Sequence, residues 1–300
     1  MIKPCVAALF LLTALPVFAG DLAQSVLQDQ TPAFSQPSNL TLSNFLTEGW
    51  DEPYDKRITP GGAPDMALLH VGTNFLEREF RTDYYSQENL AGDGTRDIHF
   101  LDGLIAYGLN RRFMVEVVSN YEWKEARDGG DDSSGAGGAF VGRVQLVDVP
   151  GASYAFNLRV STPNQGIDVK QTTVSPGLAG WQDLTSIGLN RVGLYYSIQE
   201  DAYAGPAKPG SKHNDLAYDV SLAKTWTEPK TPVFGNFTTF AEVYGTTNLD
   251  GDDQTSVFNI TPGVRFTLGH GNVLMGGVDL PLSHPHDFAV TYRVTYILNF

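Results

Sequence analysis

Phe288-Ala-Val-Thr-Tyr-Arg-Val-Thr-Tyr-Ile-Leu-Asn-Phe300 alternates more regularly than any other stretch of the chain. Phe288, Val290, Tyr292, Val294, Tyr296, Leu298 and Phe300 fall at every second position, and Ala289, Thr291, Arg293, Thr295 and Asn299 make most of the intervening set. An extended backbone sends successive side chains to opposite faces, so this spacing predicts a β-strand with one apolar and one largely polar face.

The same period reads back through the sequence. Residues 258–268 set Phe258, Ile260, Val264, Phe266 and Leu268 against Thr261, Arg265 and Thr267. Residues 216–226, 153–161, 140–146, 113–121 and 101–109 follow the rule, and 69–85, 181–189, 194–200, 237–244 and 273–280 follow it more weakly. About twelve strands result. The connections between them alternate as well. Those over 110–112, 148–152, 190–192, 227–236 and 269–272 are mostly tight, whereas 86–96, 124–138, 162–180, 201–214, 246–255 and 281–287 are longer and rich in Gly, Asp, Ser and Pro. Short turns on one side and long loops on the other are the pattern of an up-and-down antiparallel β-barrel in an outer membrane.

A soluble β-sandwich or jelly roll also alternates, because any sheet with one wet face does. Its wet face favours Lys, Glu and Thr. Here the polar face carries Glu116, Arg143, Gln145, Asn157, Arg159, Asp219, Arg265 and Arg293, fixed charges of both signs that suit a lumen. Aromatic residues collect near strand ends, with Tyr84, Tyr85, Tyr121, Trp123 and Trp181 expected at one rim and Tyr107, Phe113, Tyr154, Trp226 and Phe300 at the other. Two such belts are what a lipid-embedded barrel shows. The reading is therefore all-β: a transmembrane barrel over 66–300, preceded by an extension, 20–65, that is periplasmic or plugs the bore, with one mildly amphipathic stretch at Leu40, Leu42, Phe45, Leu46 and Trp50.

Residues 1–19 read as a secretory signal: Lys3, an apolar run from Val6 to Leu15, then Val17-Phe18-Ala19 with small residues at the last and third-last positions. Export to the outer membrane of a Gram-negative cell follows. The single cysteine, Cys5, lies within that segment, so the processed chain has no thiol for disulfide, catalysis or zinc. With 20 Lys and Arg against 34 Asp and Glu the formal charge is −14, which argues against a nucleic-acid partner.

The residues Tyr292, Val294, Tyr296, Leu298 and Phe300 resemble the C-terminal signature of bacterial outer-membrane proteins, in which the last strand is the signal read by the barrel-assembly machinery. Thr261-Pro-Gly-Val-Arg-Phe-Thr-Leu-Gly-His-Gly-Asn-Val-Leu-Met-Gly-Gly-Val-Asp-Leu-Pro-Leu282 resembles the last hairpin of a family of barrels named as transporters of a phenol-degradation meta pathway. Phe45-Leu-Thr-Glu-Gly-Trp-Asp-Glu-Pro53 and Phe75-Leu-Glu-Arg-Glu-Phe80 are similar to stretches of the same family. The resemblance implies a barrel and its compartment; it carries no catalytic motif.

Other chemistry finds little support. His284-Pro285-His286-Asp287 is a usable ligand set in an expected loop, and Asp250-Gly251-Asp252-Asp253 lacks the Glu an EF-hand requires, so no metal site is expected. None of the six histidines joins a serine in a recognisable motif, and no enzyme or cofactor is expected. The function read from the residues is a channel or transporter passing small molecules, aromatic or apolar ones among them, by passive diffusion through a bore lined by the eight polar residues above. The alternatives are a closed barrel serving as surface adhesin or anchor, and a membrane-embedded lipid hydrolase. Expected partners are outer-membrane lipid and lipopolysaccharide, the assembly machinery and an unnamed solute. Cleavage after Ala19 should leave Gly20 as the first residue of the processed protein, which intact-mass measurement of membrane-extracted material checks; a mass including residues 1–19 rejects the signal reading.

Overall fold

The computed structural model describes residues 39–55, 64, 66–89, 96–126, 133–163, 172–204, 214–249, 256–269, 272–284 and 288–300. The expected signal segment, the extension over 20–38, and the acidic or His-bearing stretches 250–253 and 285–287 lie outside them. Asn39–Asn299 forms one unit.

Twelve strands run in order: β1 (Arg78–Asn89), β2 (Arg96–Gly108), β3 (Phe113–Ala126), β4 (Ser133–Val149), β5 (Ala152–Ser161), β6 (Thr172–Asp183), β7 (Val192–Ala204), β8 (Asn214–Thr225), β9 (Gly235–Asn248), β10 (Ser256–Gly269), β11 (Asn272–Pro281) and β12 (Phe288–Asn299). Each pairs antiparallel with its sequence neighbours, and β1 pairs with β12 from Glu79 opposite Asn299 to Glu88 opposite Val290. The sheet is a closed barrel with no free edge. A tight reversal at Pro150-Gly151, where Gly151 takes φ of 84°, joins β4 to β5.

The expected strand number holds, and of the boundaries that change three move most. β1 begins at Arg78, because residues 66–77 leave the wall and turn inward. β6 is Thr172–Asp183, not 181–189, and a 3-10 turn at Thr185–Ile187 follows it. Its Ser175-Pro176-Gly177 core looks like a loop by composition. Pro176 cannot donate to the ladder, and the pairing with β7 is interrupted between Val174 and Gly177. The connection expected over 124–138 shrinks to 127–132, since Gly135 to Gly138 pair opposite Glu122 to Ser119. Backbone pairing requires no particular side chain, so Gly-rich sequence can extend a ladder. The contrast in connection length is therefore weaker than the residues suggested.

Alternation is inside-out. Val117, Phe140, Leu178, Ile198, Val220 and Val294 are exposed on the outer wall, whereas Glu242, Arg265, Thr261 and Asp279 are fully buried. At the loop end Tyr84, His99, Trp123 and Tyr121 form a stacked outer cluster, and Tyr107 and Trp226 lie exposed at the turn end. Two expected rim residues face inward. Trp181 is buried at the turn end against Phe75, and Tyr85 donates its hydroxyl to Asp102 at 3.2 Å.

Residues 39–55 dock on the turn end. Leu40 is buried and exchanges two backbone hydrogen bonds with Asp148, at 3.0 and 2.9 Å. The amphipathic stretch forms turns over 43–47, with Glu48 N donating to Asn44 O at 3.0 Å. Arg112, fully buried in the β2–β3 turn, fastens it by donating to the carbonyls of Thr41, Asn44, Glu48, Gln145 and Leu146 while its guanidinium lies 5.1 Å from the Phe45 ring centre. Hydrogen bonds from a charged donor are each worth about 1.5–3 kcal/mol and are not additive. Arg112→Ala should cost at least about 3 kcal/mol of docking. The checks are faster limited proteolysis within 39–55 and retained heat-modifiable gel mobility of the ring. A second contact adds a pH dependence. The Arg111 guanidinium holds the Glu52 carboxyl below the usual carboxylate range. A depressed pKa gives stability that is present above the unfolded value and lost as pH falls, so docking should loosen slightly below about pH 4.

Candidate functional site in the barrel interior

Residues 66–77 form no strand, and many of their backbone groups bond to side chains of the inner wall. The Glu242 carboxylate on β9 accepts from the backbone N–H of Leu69 at 3.1 Å, His70 at 3.2 Å and Val71 at 3.2 Å. Gly72 N donates to Ser197 Oγ at 3.1 Å, Asn157 Nδ2 to Thr73 O at 3.3 Å, and Arg143 Nη1 to Phe75 O at 2.8 Å. Arg265 donates to Ala67 O, and Asn74 and Ser153 exchange two bonds at 3.0 Å. His70 Nε2 lies 3.0 Å from Asp279 Oδ1 and its ring stacks on Tyr244 with centroids 3.7 Å apart.

The apolar residues of this segment divide the interior. Leu68, Val71 and Phe75 form a buried cluster with Trp181, Tyr195, Phe240, Met275 and Ile297, all near the turn end. A Cβ at Gly277 would stand 2.6 Å from Leu69 Cδ1, so the absence of a side chain there makes room for the segment. Between its apex, Leu69 to Thr73, and the wall toward the loop end lies a cavity of about 260 Å³.

Charged side chains converge on that cavity. Arg81 pairs with Asp83 at 2.8 Å, Arg143 with Glu116 at 3.4 Å, and Arg293 with Asp279 at 2.6 Å while lying 4.4 Å from the Tyr85 ring centre. Tyr85 stacks on Phe100 with centroids 4.4 Å apart. Leu104, Val118 and Val141 supply an apolar stretch of wall.

Of the eight polar residues singled out in the sequence, Glu116, Arg143, Asn157, Arg159 and Arg293 line this cavity. Gln145 lies at the turn end, donating to Ser153 Oγ at 2.8 Å. Asp219 accepts from Ser197 Oγ at 2.8 Å, and Arg265 sits among the segment's anchors beside Met66 and Ala67. Sequence reasoning missed Glu242, Asp279, Arg81, Asp83, Asp102 and His70. The first two share the parity of their strands' inner faces, but β9 and β11 alternate too weakly for parity alone to single them out. On β12, Tyr292 and Val294 are half exposed on the outer wall, and Phe300, just after the strand, is 56% exposed.

No family model matches the chain, and no curated protein matches it. Among solved structures, an outer membrane channel from Pseudomonas putida F1 aligns with a TM-score of 0.54 at 12% identity, covering 82% of this chain and 100% of that one. The β-domain of the Bordetella autotransporter BrkA aligns at 0.47 and 11% identity over 74% and 99% of the two chains. The translocator domain of the autotransporter NalP from Neisseria meningitidis aligns at 0.40 and 12% over 74% and 86%. At these identities the likeness is one of fold: a closed antiparallel barrel of the kind the Pseudomonas channel has.

Proposed function

We propose that this protein is an outer-membrane channel that passes small solutes by diffusion through a narrow, charged interior. The observation that carries the reading is the contrast between the two faces of one ring. An apolar outer wall suits hydrocarbon, and ion-paired arginines around a 260 Å³ cavity suit a hydrated solute. The fold likeness to the Pseudomonas channel agrees with it. A barrel of about twelve strands lies between small barrels that side chains fill and porins of about sixteen strands that leave an aqueous channel. Here the segment 66–77 takes up much of the bore, so selectivity would come from the gap beside its apex and from the arginines there. Tyr85, stacked on Phe100 and covered by the Arg293 guanidinium, is a ring at the cavity whose edge an aromatic solute would meet. The channel works without a catalytic step, in the outer membrane of a Gram-negative cell, among lipid and lipopolysaccharide, with the outward face of β12 presented to the assembly machinery.

One observation favours the closed-anchor alternative: the inner wall holds the segment through many hydrogen bonds. Purified full-length protein in planar bilayers should give small, discrete current steps, and its liposomes should swell in small solutes; neither, at any voltage, would reject the channel. Replacing the Glu242 carboxylate weakens the acceptor for three backbone donors, a loss of about 2–4 kcal/mol of anchoring. Glu242→Gln should therefore raise mean conductance and expose 66–77 to protease, with unchanged conductance showing that this anchor does not set the bore.

A further inference from the structure

We infer that the cavity is a binding site for a small organic carboxylate that also carries a hydroxyl donor, held between Arg159 on β5 and Asp102 on β2. Four arginines line it, and three are neutralised by Asp83, Glu116 and Asp279. Arg159 is different. Its Nε donates to Ser161 Oγ at 3.1 Å, and it forms no ion pair among the described residues. Its two terminal amino groups are the planar fork that matches a carboxylate.

Asp102 supplies the opposite end. Its Oδ2 accepts from the Tyr85 hydroxyl at 3.2 Å, whereas Oδ1 is buried and has no hydrogen-bond partner among the described residues. A buried carboxylate oxygen without a donor is costly, and a donor on a bound solute would remove that cost. β3 and β4 separate the two strands, about 14 Å at three strand spacings. The ladder sets Arg159 level with Ala106, four residues or about 13 Å along β2 from Asp102. The wall between them therefore runs diagonally, and the two side chains reach toward each other across the cavity they both line. The cavity wall contributed by β2, β3 and β4 carries Leu104, Val118 and Val141, with Leu104 paired to Val118 and Val141 to Arg159. Charge, apolar wall and unsatisfied acceptor thus follow one another in the order of a carboxylate, an apolar body and a hydroxyl. The inference names a solute class for the site of the proposed channel and rests on that reading for transport; the binding stands by itself.

The experiment is calorimetric titration of the detergent-solubilised full-length protein with 4-hydroxybenzoate, with benzoate and 4-hydroxybenzyl alcohol as probes lacking the donor or the carboxylate. The wild type should bind 4-hydroxybenzoate most tightly. Arg159→Gln should weaken it by about tenfold or more, and Arg159→Lys by less, each variant being checked for heat-modifiable mobility. Asp102→Ala should remove the preference for 4-hydroxybenzoate over benzoate. Absence of binding to the folded wild type, or equal affinity in Arg159→Gln, overturns the site, and equal affinity for the two acids in the wild type overturns the part assigned to Asp102. Binding with no conductance in bilayers would instead reject the channel and leave the site.

Discussion

Closure of the sheet between β1 and β12 is the constraint on which the molecule rests. In the membrane setting proposed for this barrel a strand has no water with which to satisfy its backbone, so each N–H and C=O must find a partner in a neighbouring strand. Twelve antiparallel pairings that return to their start meet that demand without leaving an edge. Once the ring is closed, alternation follows of necessity: one set of side chains faces outward and the other inward. Val294 and Arg293 on the same strand thereby meet opposite surroundings.

The inward set does two different jobs along the barrel axis. Near the turn end, Trp181, Phe240, Met275 and Ile297 form a buried apolar core around Leu68, Val71 and Phe75, much as in a soluble domain. Toward the loop end the same face turns polar and surrounds the cavity. Burying Glu242 and Arg265 inside such a core would be costly for isolated charges. Both instead engage backbone dipoles of the inserted segment, whose own peptide groups have no ladder to join. Wall and segment thus supply each other with hydrogen-bond partners, in full for the Glu242 carboxylate and in part for Arg265, whose Nε and Nη2 have none among the described residues.

Around the cavity, pairing of unlike charges leaves most arginines locally neutral and rigid. The wall keeps its shape through these pairs, and under the proposed function a solute would meet the minority of groups whose hydrogen-bonding capacity is unused. That division among the side chains comes from geometry, because all of them share one parity on their strands.

From the residues alone, the period of two in segments such as 288–300 and 153–161 specified an all-β fold of twelve strands, and the charged face already held Glu116, Arg143 and Arg159. Three of the weakly alternating strands, β6, β9 and β11, share one reason for being hard to read, to which β6 adds its Ser175-Pro176-Gly177 core. Their inner faces carry Trp181, Phe240, Val273 and Met275, which are apolar because they pack against the inserted segment or its surroundings, so both faces look alike in the sequence. Only the folded ring decided that 66–77 lies inside, that Arg293 pairs with Asp279, and that Arg159 forms no ion pair among the described residues. Periodicity reports which face a side chain occupies, while partners across a lumen are set by the closure of distant strands, which no local pattern encodes.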